Sequence, residues 1–128
     1  MSEDIVKKIL VVDDEEEVVE FLSTVLSRAN PNYKTLACTR GKEAVTLAKI
    51  HIPDLIILDI VMPDMEGGEV ASILSEDPTT SHIPIIFLTG ILTKEEEASR
   101  TKSGKHFMLA KPTTAEEVTA KVHELLSN

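Results

Sequence analysis

Tryptophan is absent, tyrosine occurs once, and aromatics make up 3% of the 128 residues, so any core must be built from aliphatic side chains. A single cysteine, Cys38, excludes an intramolecular disulfide. No apolar run approaches the roughly 20 residues of a membrane-spanning helix. The opening Met1-Ser2-Glu3-Asp4 lacks the basic and apolar regions of a signal peptide. These absences predict a soluble protein in a reducing, cytoplasmic compartment, with no membrane partner. Positive charge is scarce as well: 13 Lys and Arg stand against 22 Asp and Glu, a net charge of -9. That balance argues against direct binding to nucleic acid or an anionic lipid surface, and in favour of basic partners or divalent cations. No linker or repeat interrupts the chain, whose length suits one domain with its own hydrophobic core.

What is present is organised around Leu55 to Gly67. Four apolar residues, Leu55 to Leu58, deliver Asp59, and Pro63 and Gly67 then force a turn. So short an apolar run, bounded by Pro53 and a Pro/Gly segment, predicts a buried strand of a parallel sheet with Asp59 at its carboxyl end. In open α/β sheets that edge is where ligands bind. An aspartate there is a candidate nucleophile or metal ligand; a helix-capping or turn aspartate is the structural alternative.

The remaining chain reads as strand then helix, repeated. Lys8 to Val12 predict a strand ending in Asp13 and Asp14, followed by a helix over about Glu16 to Ala29. Val18, Phe21, Leu22, Val25, Leu26 and Ala29 are its expected inward face. Glu15 to Glu17 suit the positive end of that helix. Tyr33 to Cys38 predict an edge strand, and Thr39 is expected to cap a helix to about Ile50 with Ala44, Leu47 and Ala48 inward. A helix from about Gly68 to Ser75 should bury Val70, Ile73 and Leu74. Ile83 to Leu88 predict a fourth strand, bringing Thr89 and Gly90 to its end. Thr93 to Ser103 is almost wholly polar, so a helix there would be weakly anchored. Phe107 to Ala110 predict the last strand, delivering Lys111 and Pro112, and Thr113 or Thr114 caps a final helix with Val118, Val122, Leu125 and Leu126 inward. The alternation predicts an α/β fold, a doubly wound parallel sheet with right-handed crossovers.

Four of the five strands thus end in distinct polar groups: Asp13 with Asp14, Asp59, Thr89 and Lys111. Three carboxylates in one crevice repel by about 3 kcal/mol per pair at roughly 5 Å and an effective dielectric near 20. Lys111 alone cannot offset that, whereas Mg²⁺, which favours oxygen ligands, can. His51, His82, His106 and His123 have no ligand-like spacing, so no zinc site is expected. A metal, an ammonium and a hydroxyl around one aspartate stabilise charge on a phosphoryl group. Asp59 is the expected nucleophile, forming an acyl phosphate; Asp13 and Asp14 would hold the metal, and Lys111 and Thr89 would contact phosphoryl oxygens. Singly, each residue also has an ordinary structural role.

As a set, Asp13-Asp14, Leu58-Asp59-Ile60-Val61-Met62-Pro63 with Gly67, Ile83-Pro84 leading to Thr89-Gly90, and Lys111-Pro112 resemble the receiver domain of two-component response regulators, of the chemotaxis-regulator kind. The resemblance runs over nearly the whole chain. It implies a flavodoxin-like (βα)5 fold with strand order 2-1-3-4-5 and a cis Lys111-Pro112 bond. Residues 1–128 are expected to form a single receiver domain with no output domain, either free-standing or cut from a longer protein. It implies Mg²⁺ bound by Asp13, Asp14, Asp59 and the carbonyl of Val61. The phosphoryl donor would be a phosphohistidine of a sensor histidine kinase or a histidine phosphotransfer protein, and the output an unknown downstream protein. The chain would be no enzyme beyond its own phosphorylation and dephosphorylation. Thr89 would move toward the phosphate while the face of the fourth helix, fifth strand and fifth helix repacks.

The chain departs from that family at several positions. Met108 stands three residues before Lys111, where the family usually has Tyr or Phe, and Phe107 precedes it. Strand alternation sends Phe107 toward the face of Lys111 and Met108 to the other. Lys105 occupies a position the family gives to a small residue. These departures predict signalling by ordering residues 91 to 106 rather than by flipping a ring. Val61 and Ile91, two past Asp59 and Thr89, are apolar and predict slow self-dephosphorylation. Two rival readings are a haloacid-dehalogenase-like phosphohydrolase, which wants an Asp-x-Asp nucleophile on the first strand, and an interaction module that works without phosphorylation. The first lacks its motif, since strand one gives Asp13-Asp14-Glu15, and the complete acid set with Thr89 and Lys111 argues against the second.

Overall fold

The computed structural model describes residues 5–89, 106–110 and 113–127. Its elements are β1 (Lys7–Val12), α1 (Glu16–Ala29), β2 (Tyr33–Cys38), α2 (Gly41–His51), β3 (Leu55–Asp59), α3 (Gly67–Glu76), β4 (Ile85–Thr89), β5 (His106–Ala110) and α4 (Ala115–Leu126). The helix expected over Thr93 to Ser103 and the cis bond expected at Lys111-Pro112 lie outside the described residues.

The five strands pair in parallel in the order β2-β1-β3-β4-β5, the doubly wound arrangement implied by the resemblance, with the Tyr33 strand at an edge as its weaker pattern predicted. Helices cover both faces, so strand residues of either parity are buried and the strands read as continuous apolar runs. Leu10, Val12, Ile56, Leu58, Ile85 and Phe87 meet α2 and α3. Their neighbours Ile9, Val11, Ile57 and Leu88 meet α1 and α4. Full burial of each such side chain is worth about 1.5–3 kcal/mol.

Four expectations need correction. In α1 the buried residues are Val19, Leu22 and Leu26, whereas Phe21 is 43% exposed and Ala29 also faces outward. Both the 18-22-25-29 and the 19-22-26 rows fit helical spacing, and the sheet selects the second. Thr39 does not cap α2; the cap position is Arg40, whose side chain makes no capping bond. Strand β4 begins at Ile85 rather than Ile83, since Pro84 has no N–H to donate to a ladder, although its carbonyl still accepts from the Ile56 N–H at 3.0 Å. Helix α3 runs one residue further at each end than its sequence pattern predicts, and its third buried residue is Ala71, Ile73 being only partly covered.

Thr114 rather than Thr113 caps α4, through a reciprocal capping box with Glu117. Ile52 ends α2 with φ 45°, an unusual conformation for a β-branched residue, while its side chain packs on the α2/α3 layer. Cys38 is buried at the end of β2, and burial pushes its thiol up to about 11, so it stays protonated and unreactive at neutral pH.

Candidate functional site

Strands β1 and β3 are adjacent, with Val12 opposite Leu58, so Asp13 and Asp59 leave the sheet side by side at its carboxyl edge. Asp13 is fully buried and Asp59 is 5% exposed, while Asp14 is exposed. One carboxylate oxygen from each of the three lies within 4.8 Å of the others. Asp13 also accepts the Glu15 N–H at 3.0 Å, which bends the chain into α1. At that separation each pair of charges repels by about 3 kcal/mol at an effective dielectric near 20. Hard oxygen donors, two of them buried, with no His or Cys among the described members of the group, fit a small divalent cation such as Mg²⁺.

The loop after Asp59 is closed at its neck, where the Gly67 N–H donates to the Ile60 carbonyl at 2.7 Å. A Cβ on Gly67 would collide with the carbonyl oxygen of Asp59 and sit 2.9 Å from the Cα of Ile60. Only glycine lets α3 start this close to the strand end. Inside the loop Met62 is buried and Val61 is 59% exposed. Asp64 accepts the N–H groups of Gly41 at 2.9 Å and Lys42 at 3.1 Å, and those bonds, Gly41 first, hold its carboxyl below the usual carboxylate range. A cavity of about 440 Å³ beside the acids is lined by Asp14, Thr39, Arg40, Pro63 and Asp64. No local signal in the sequence marks Asp64, because its partners lie 23 and 22 residues earlier.

Thr89 ends β4 opposite Ala110 of β5, one step beyond the pairing of Leu88 with Asp59. Lys111, Gly90 and Ile91 lie outside the described residues. Phe107 packs in the α1/α4 layer with the Lys121 ammonium 5.6 Å from its ring centre. Met108 packs on the opposite layer, as alternation requires. His106 meets Phe87 edge to face, with ring centres 5.6 Å apart.

The response regulator receiver domain family model matches residues 9–123. The chain belongs to that family. This receiver is 32% identical over 106 residues to the polar-differentiation response regulator DivK of Brucella anthropi, a match covering 83% of this chain and 85% of DivK. It is 35% identical over 118 residues to the response regulator PleD of Caulobacter vibrioides, covering 92% of this chain and 26% of PleD. The chain spans about a quarter or less of the longer relatives it matches. The chemotaxis response regulator CheY4 of Vibrio cholerae superposes with a TM-score of 0.82 at 27% identity, covering 94% of this chain and 99% of that one. Receiver domains are phosphorylated by histidine kinases, typically bind Mg²⁺ and are generally not enzymes themselves. Among the described residues no helix is long and apolar enough to cross a membrane.

Proposed function

We propose that this receiver accepts a phosphoryl group on Asp59 from the phosphohistidine of a sensor histidine kinase or a histidine phosphotransfer protein, with Mg²⁺ held by Asp13, Asp14, Asp59 and the main-chain carbonyl of Val61. The observation that carries the reading is the meeting of three carboxylate oxygens from two adjacent strand ends within 4.8 Å, on a chain matched by the receiver family over residues 9–123. An oxygen of Asp59 attacks phosphorus, the bond from phosphorus to the imidazole nitrogen breaks, and its electron pair leaves on that nitrogen. Bound Mg²⁺ would neutralise the acids and the charge on the phosphoryl oxygens. Asp13 and Asp14 would share that cation, the Thr89 hydroxyl would donate to one phosphoryl oxygen and the Lys111 ammonium would pair with another. Intact mass after incubation with acetyl phosphate and Mg²⁺, for wild type and Asp59→Asn, is the test.

A cavity of about 690 Å³ between α1 and α4 favours a protein donor. Phe21, Val25 and Ala115 give it an apolar lining, and Glu17, Glu20 and Glu116 outweigh Arg28 to leave it net acidic. Helix α1 starts at Glu16, directly after the acid turn, so a partner seated on this groove has its phosphohistidine near Asp59. A basic, apolar helix face complements it. Phe21→Ala is expected to slow transfer from the protein donor by about tenfold or more and to leave the acetyl phosphate rate unchanged; a variant that matches wild type with the protein donor would place the docking face elsewhere.

Two further features follow from the same reading. Phe107 in the α1/α4 layer and Met108 in the other leave Met108 at the position where the family usually carries its aromatic ring, which supports output through the segment before β5 rather than through a ring flip once Thr89 engages the phosphoryl group; His106 itself is already paired in β5. Val61 and Ile91 offer no polar group to orient an attacking water, so self-dephosphorylation is slow. Ile91→Glu is expected to shorten the lifetime of the phospho-form about tenfold, by general-base assistance to water; an unchanged decay followed by mass would remove Ile91 from the water path.

A further inference from the structure

Helix α2 has no cap of its own among the described residues: the side chain at the cap position, Arg40, makes no capping bond. Its first two amides, Gly41 and Lys42, are taken instead by both oxygens of Asp64, from the loop that follows β3. We propose that Asp64 is a positioning residue for the metal site, a latch that holds the loop of residues 60 to 66, and with it the carbonyl of Val61, at the height of Asp13 and Asp59; this rests on the phosphoacceptor reading above.

Three observations support the latch. The loop is tied at its neck by the Gly67 to Ile60 bond and carries buried Met62, and the bonds of Asp64 to Gly41 and Lys42 give it a further tether only three residues from Val61. Pro63 has a fixed φ, and displacement at Asp64 is therefore passed toward Val61 rather than absorbed. The contact is also close-packed, since a Cβ on Gly41 would come within 2.8 Å of Met65 Cβ and of the Met65 carbonyl oxygen. Asp64 is not a member of the acid group, which consists of Asp13, Asp14 and Asp59, although it lines the adjoining cavity together with Asp14. It acts through the loop and not as a ligand.

The latch predicts coupling in both directions between the metal and the start of α2. Amide NMR during Mg²⁺ titration of metal-free protein reads it, with wild type, Asp64→Ala and Asp64→Asn compared. Asp64→Ala is expected to raise the apparent Mg²⁺ dissociation constant about tenfold, the lower end of what supporting groups around a metal site contribute. Asp64→Asn, which keeps one acceptor oxygen, should fall between the two. Phosphorylation by acetyl phosphate should be slow in Asp64→Ala at low Mg²⁺ and return to the wild-type rate at saturation. Mg²⁺ should slow hydrogen exchange at Gly41 and Lys42 in wild type and not in Asp64→Ala. A purely structural cap would lower the melting temperature and leave Mg²⁺ affinity and that exchange response unchanged, which overturns the proposal while wild type still takes up phosphate. Wild type that neither binds Mg²⁺ nor gains a phosphoryl group would remove the phosphoacceptor reading and the latch together.

Discussion

Asp59→Asn is expected to gain no mass from acetyl phosphate and Mg²⁺ under conditions in which wild type gains one phosphoryl group. An amide oxygen is too weak a nucleophile for phosphorus, and Asp13 and Asp14 would be committed to the cation. The same substitution carries a second expectation with the opposite sign. Asp59 is 5% exposed and its carboxylate has two like charges within 4.8 Å, each repelling it by about 3 kcal/mol at an effective dielectric near 20. Removing one charge eliminates two of the three repulsions, so in metal-free buffer the variant should melt higher than wild type, by roughly 4 °C for each 1 kcal/mol relieved. Added Mg²⁺ should raise the melting temperature of wild type, as binding to the folded state must, and raise that of Asp59→Asn far less. Phosphate uptake by the variant would move the nucleophile to another residue. A variant less stable than wild type without metal would mean that the other contacts of Asp59 outweigh its repulsion by Asp13 and Asp14.

The parts of this molecule legible in its sequence are those set by local pattern. The short apolar runs of β1, β3 and β4 identify strands buried on both faces, and the acids stand where the runs of β1 and β3 stop. Alternation along β5 separates Phe107 from Met108 correctly, because the period of a strand leaves no freedom. Order along the sheet came from the family resemblance, since alternation of strand and helix is compatible with more than one winding. Misreadings fall where a residue's environment is supplied by a distant segment. Helix α1 offers two apolar rows of similar quality, and only contact with the sheet chooses Val19 over Phe21. Thr39 has the right chemistry to cap α2, but Asp64 fills that role from 22 and 23 residues away, a pairing that sequence spacing does not encode. Pro84 continues the apolar run yet cannot join the ladder through an N–H, so the hydrophobic pattern outruns the strand.

Gly67→Ala is expected to destabilise the domain by about 3 kcal/mol or more, the upper range for forcing atoms into filled space, and to lower the melting temperature by roughly 10 °C. Its Cβ would meet the carbonyl oxygen of Asp59 and the Cα of Ile60, main-chain atoms that cannot swing aside as a side chain can. Relief requires α3 to withdraw or the end of β3 to shift, and either movement displaces Asp59 from Asp13 and Asp14. Phosphorylation should therefore fall in the fraction that remains folded. Gly68→Ala is the control one residue away in the same helix, where an added Cβ meets nothing within 4 Å. Replacing that glycine should stabilise α3 by about 0.5–1 kcal/mol through backbone entropy, and leave phosphorylation untouched. Helix propensity favours both substitutions equally, so a difference in sign between them isolates the contact with the Asp59 carbonyl. Equal stabilisation by both would show that α3 does not press on the strand end, and that the position of Asp59 is set by the sheet alone.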